Sequence, residues 1–152
     1  MRQYGRLSAK TQRNEVPMQP SPELRDLTSR IAQAVGDGDM AFLERHISRQ
    51  ADVAFLGTDP DEWWTDLAGL SRALAAQREA GVTVIPGDPL AYEEGNVGWA
   101  VDRTVRFRIG DQEAPFRFSV VYRREDGTWK MVHFHSSVGV SNEEALGVTL
   151  PD

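Results

Sequence analysis

Residues 116–138 read FRFSVVYRREDGTWKMVHFHSSV, and the reading of this stretch decides the fold. Two alternating runs flank a Glu125-Asp126-Gly127 turn. Phe116, Phe118, Val120 and Tyr122 share one face of the first run, and Trp129, Met131, His133, His135 and Ser137 share one face of the second. Period-two alternation on both sides of a Gly-containing turn specifies a β-hairpin. The second run also holds two of the chain's three histidines, two positions apart.

Upstream of the hairpin the strand signal continues. Val97–Ile109 reads as one long strand whose odd positions (Val97, Trp99, Val101, Arg103, Val105, Phe107, Ile109) are apolar except for Arg103. Its even positions include Asp102, Arg106 and Arg108 and suit a wetter face. Val82–Ile85 and Leu90–Tyr92 are shorter strands, separated by Pro86-Gly87-Asp88-Pro89, which must kink or bulge the ladder. Before residue 81 the chain is mainly helical. Ser21-Pro22 starts a helix with a stripe of Leu24, Leu27, Ile31 and Val35, ended by Gly36-Asp37-Gly38. A second helix carries Met40, Leu43 and Ile47 on one face, with His46 near its C-terminus in a structural or solvated role. Asp52–Gly57 reads as a short strand, and Thr58–Glu62 as a helix start with Asp59 as N-cap, Pro60 as first helical residue and Glu62 as capping-box partner. A further helix runs from about residue 69 to residue 80. Helices segregated from a long antiparallel meander argue an α+β fold, in which a strongly curved antiparallel sheet wraps around the N-terminal helices.

The totals bound what such a domain can do. At 152 residues the chain is one domain, which the patterning places at 21–140. Residues 1–20 hold four basic residues, one acid and few large apolar groups, the signature of a flexible basic tail. Residues 141–152 read as a polar C-terminal tail. Seventeen Lys+Arg against 23 Asp+Glu give a net charge of −6, which argues against nucleic-acid binding. The absence of cysteine excludes disulfides, thiol catalysis and Cys-ligated zinc. No apolar run approaches a membrane span or a secretory signal, which leaves the cytoplasm as the expected location.

The hairpin, with the order of elements before it, resembles the nuclear transport factor two-like superfamily, particularly its SnoaL-like branch. Arg123-Arg124, Asp126-Gly127, Trp129, Val132-His133-Phe134-His135 and Ser137 are similar to the terminal pattern of the association domain of calcium/calmodulin-dependent protein kinase two. The resemblance covers roughly residues 22–140. It implies a cone-shaped, cystatin-like fold with a pocket at the open end, and pairing of two copies through the outer face of the sheet. Family functions include isomerases, dehydratases, cyclases, epoxide hydrolases and oligomerisation modules, so the fold implies a pocket but no particular reaction.

Several residues are candidates for chemistry. Asp59 stands in an Asp-Pro context similar to the catalytic Asp of ketosteroid isomerase-like members. A carboxylate there, partly desolvated by Trp63 and Trp64, could act as a general base; as a helix cap it would instead be held ionised by backbone N–H groups. His133 and His135 could serve as half of a metal site, as acid–base groups, or as partly buried polar lining of a pocket or interface. A metal needs a third ligand that the sequence does not offer, so no metal or cofactor is expected. Arg103, if the odd face is inward, must meet a carboxylate or an anionic ligand, although a bulge would reverse its direction. The resemblance aligns Arg103 with a pocket arginine of the kinase association domain, whereas a second such arginine falls near Val120, which is apolar.

Three functions follow as expectations. The leading one is a module that binds a small organic ligand in an internal pocket, with Arg103 giving charge complementarity to an anionic one, His133, His135 and Tyr122 for polar orientation, and Trp63, Trp64 and Trp99 as walls. The second is an isomerase- or dehydratase-type enzyme with Asp59 as base and His135 or Tyr122 as acid. The third is an assembly domain. Each is compatible with a homodimer formed through the sheet.

Overall fold

The computed structural model describes residues 17–149. The basic tail expected at the N-terminus lies largely outside them. Where the description begins, Gln19–Pro20 (β1) already pair with the sheet, so the folded unit starts slightly before residue 21.

Helix α1 (Pro22–Asp37) starts where the sequence predicts. Ser21 Oγ accepts the Leu24 N–H at 3.2 Å, Pro22 fills the first turn, and Gly38 closes the helix at φ 69°, a left-handed conformation that suits a residue without Cβ. Its stripe of Leu24, Leu27 and Ile31 is buried. The short α2 (Met40–His46) turns Phe42 and Leu43 into the same core. His46 ends it, with Nδ1 3.3 Å from the Trp129 carbonyl, and burial pulls its pKa below the ordinary imidazole value.

Strand β2 (Ala54–Leu56) is followed by a turn and not by a helix start. Half of the expected capping box forms: Asp59 N–H donates to Glu62 Oε2 at 3.1 Å, whereas Asp59 Oδ1 takes the Asp61 N–H at 3.1 Å and the Glu62 N–H goes to the Asp59 carbonyl. The backbone then leaves for β3 (Trp63–Trp64), which pairs antiparallel with β2. Helix α3 (Leu67–Glu79) begins only afterwards, capped by Asp66.

The remaining elements build the sheet. They are β4 (Val82–Ile85), β5 (Leu90–Glu94), β6 (Val97–Asp102), β7 (Arg106–Ile109), β8 (Gln112–Glu125) and β9 (Thr128–Val138), followed by a short helix α4 (Asn142–Leu146) in the segment expected to be a polar tail. The strand order is β1-β5-β6-β8-β9-β2-β3, all antiparallel except β2 beside β9, with β4 and β7 branching from the first half of β8. Helices α1–α3 lie on one face, which makes the α+β architecture a bent sheet closing over helices.

Two irregularities give the sheet its curvature and set which side chains face inward. The stretch 97–109 is two strands, with a corner at residues 103–105. Asp102 Oδ1 takes both the backbone N–H and the hydroxyl of Thr104 at 2.8 Å, a local turn that competes with the ladder. Before the corner the even positions Gly98, Ala100 and Asp102 are buried; after it the odd Val105 is buried. In β9, Val121 opposes His133 while Tyr122 opposes Met131, so Val132 is an extra residue, a β-bulge. Met131 and Trp129 are inward before the bulge, and Phe134 and Ser136 line the interior after it.

Candidate functional site

A cavity of about 90 Å³ lies between the helices and the concave face of the sheet. Ile31, Ala32 and Val35 of α1 and Leu70 and Leu74 of α3 form one wall. Phe116, Phe118, Val120 and Tyr122 of β8, with Met131 and Phe134 of β9, form the other. The aromatic side is tightly built: Phe107 stacks on Phe116 at 3.7 Å between centroids, and Phe118 meets Phe134 at 5.5 Å.

Polar groups enter this apolar space at two ends. At the floor, Tyr122 is fully buried and its hydroxyl lies 2.9 Å from Thr28 Oγ1. Thr28 Oγ1 donates its single proton to the Leu24 carbonyl at 2.6 Å, so Tyr122 must be the donor in the Tyr–Thr bond. Burial pushes the phenol pKa well above its ordinary value. A phenol whose proton is already placed, and whose ionised form is disfavoured, is a poor acid for a bound molecule. At the other end Thr58, Glu62 and Gln77 line the cavity. Glu62 is half-buried; Oε2 takes the Asp59 N–H and Oε1 takes Gln77 Nε2 at 3.3 Å.

The residues singled out by sequence are divided between two faces. Tyr122 and Trp64 line the cavity. Trp63 is 59% exposed, and Asp59 is exposed with one carboxylate oxygen bonded to its own turn. Arg103 does not point into an apolar cavity. It sits exposed at the β6–β7 corner, because the odd positions of β6 already face outward and the Asp102–Thr104 turn brings an odd position inward only afterwards, at Val105. His133 and His135 do not share a face with Tyr122 either: the Val132 bulge rotates them to the outer surface. There His133 Nδ1 lies 2.9 Å from the Ala54 carbonyl, and His135 shares an open concavity of about 530 Å³ with Arg103, Arg117, Ser119 and Ser137. Trp99 is on this outer side too, stacked on Tyr92 at 4.9 Å. Among the described residues, no three His, Asp or Glu side chains come together in a way that could hold a metal ion.

Glu62 and Gln77 are the cavity residues that sequence reasoning missed. Glu62 was legible as a capping partner, and that bond exists; its second oxygen reaches Gln77 only because the chain turns into β3 and brings α3 alongside. Gln77 falls three residues after Leu74, which follows Leu70 by four, so it continues the inward stripe of α3.

Comparison with known proteins gives the same fold. An NTF2-like protein of unknown function from Pseudomonas putida is similar at 21% identity and TM-score 0.67, over 80% of this chain and 87% of that one. A candidate dehydratase of the NTF2-like family from Streptomyces avermitilis is similar at 14% identity and TM-score 0.65, over 78% and 95%. The association domain of CaMKII from C. elegans is similar at 14% identity and TM-score 0.61, over 76% and 93%. At these identities the likeness concerns the fold alone. A search of curated proteins returned no match. The family model described as SnoaL-like domain matches residues 24–141, and the chain belongs to that family.

Proposed function

We propose that this SnoaL-like domain binds a small organic molecule in the cavity between its helices and the concave face of its sheet. The observation that carries the reading is an apolar space with its polar groups gathered at two ends, the arrangement of a site that takes an apolar body and orients it by one head. At about 90 Å³ the space suits a compact ligand; a cavity of about 150 Å³ is enough for benzene. Ala32, on the α1 wall, is the position at which to test it. Small alcohols and ketones should raise the melting temperature of the wild type, and Ala32→Met, which fills the space, should abolish that rise. An unchanged rise in Ala32→Met would place the ligand elsewhere.

Proton transfer of isomerase or dehydratase type would need a base at the cavity. Glu62 is the carboxylate that lines it, whereas Asp59 is exposed and turned into its own loop. That geometry supports Glu62, and not the Asp59–His135 pair, as the place to look for turnover.

A second reading concerns the outer face. Leu90, Val97 and Val101 are exposed there, at 63%, 51% and 38%, beside the Tyr92–Trp99 stack. Apolar side chains in such number on one face of a sheet favour a second copy as their cover. Sedimentation at several concentrations tests this; a monomer throughout would end it.

A further inference from the structure

The polar end of the cavity is anionic, and we infer from this that its ligand is a small amphiphile whose head is a protonated amine seated on Glu62; the inference rests on the cavity reading above. The Glu62 carboxylate is held in place from two sides, by the Asp59 N–H on Oε2 and by Gln77 Nε2 on Oε1. A carboxylate has about four lone-pair positions, so roughly two remain for a ligand. Gly57 gives the carboxylate its room: a Cβ at that position would collide with Glu62 Oε2 and lie 2.7 Å from Glu62 Cβ.

Charge then decides the class. Among the described residues that line the cavity there is no lysine or arginine, and Arg103, the cation expected there, is on the other side of the sheet. A carboxylate ligand would bring a second negative charge towards Glu62 with no cation in the cavity to offset it. A neutral alcohol would donate one hydrogen bond to the carboxylate and bring no charge. An ammonium head would donate such a bond and add the attraction of opposite charges. The far end of the cavity offers no competing charge, since the Tyr122 hydroxyl is bonded to Thr28.

The experiment is an NMR titration at pH 7 with three ligands of one shape: isobutylamine, isobutanol and isobutyrate. The backbone amide of Gly57 and the side-chain amide of Gln77 report on the site. The expected order is amine, then alcohol, then carboxylate, with the amine at least about tenfold tighter than the carboxylate. Glu62→Gln, which keeps the shape, should bring the amine to within about twofold of isobutanol and leave isobutanol unchanged. Gly57→Ala keeps the charge but displaces the carboxylate, and should also erase the amine preference. Thermal melts of both variants establish that they are folded, and Glu62→Gln stands on its own if Gly57→Ala is not. Equal binding of the three, tighter isobutyrate, or an amine preference that survives Glu62→Gln would overturn the ligand class while leaving the cavity reading intact. No response of cavity residues to any of the three would overturn both.

Discussion

The two faces of this sheet treat polar side chains in opposite ways. On the concave face, Tyr122 is buried and its one proton is already donated to Thr28. On the convex face, Arg103, Arg117 and His135 are exposed around one concavity. The difference follows from desolvation. A hydroxyl under the helices persists only with its partner, whereas a guanidinium in water needs none. The concave face is therefore a prebuilt apolar wall with one polar end satisfied within the protein at Tyr122 and the other at Glu62, and the convex face is a solvent-facing surface.

The largest expected effect comes from placing one charge on either side of the same strand. Val120 is buried and Val121, its neighbour, faces outward. Val120→Asp should destabilise by about 4 kcal/mol or more, or prevent folding, since it buries an unpaired carboxylate. Val121→Asp should cost about 1 kcal/mol or less in the monomer, and should weaken any dimer formed through that face. Urea denaturation of both variants checks this; equal losses would erase the distinction between the faces.

Tyr122 sharpens the comparison. Tyr122→Ala removes a fully buried ring and should cost about 3–5 kcal/mol. Tyr122→Phe removes one hydrogen bond and should cost about 1 kcal/mol, because Thr28 keeps its bond to Leu24. A Tyr122→Phe loss as large as that of Tyr122→Ala would mean that the hydroxyl, and not the ring, holds the floor of the cavity.

How far this division could be read from the sequence depends on what each strand hides. β8 alternates without interruption from Phe116 to Tyr122, and its inward face was legible. β9 is apolar enough on both sides of Val132 that alternation gives a period without a phase, so one extra residue sends both histidines outward unseen. The corner at Arg103 lacks glycine and proline; its signal was the Asp102-x-Thr104 spacing, whose side chains bond to one another. Ser21 and Gly38, by contrast, act through backbone conformation and local bonds, which sequence reports well. Ser21→Ala should cost about 1 kcal/mol by circular-dichroism melting, through loss of the cap.

The smallest effect is a pH dependence on the helical side. Burial, the main cause, lowers the His46 pKa, with Lys130, Arg45 and Arg30 adding to it and the Trp129 carbonyl opposing it. The unfolded state then binds the proton more readily than the folded state. Stability from this residue is present above about pH 6.5 and declines as pH falls through the lowered folded value. Asp52, held below its usual range by the Arg123 hydrogen bond, responds only in the more acidic carboxylate range. Urea midpoints between pH 7 and pH 5 should fall in the wild type and fall less in His46→Gln; identical slopes would remove His46 from the account.

The most direct test of the central claim is a methyl-resolved NMR titration with isobutanol. Shifts are expected at Ile31, Val120 and Met131, which line the concave face, and none at Leu90, Val97 or Val101 on the convex face. Shifts confined to Leu90, Val97 and Val101 would contradict the cavity reading and move the binding site to the outside of the sheet.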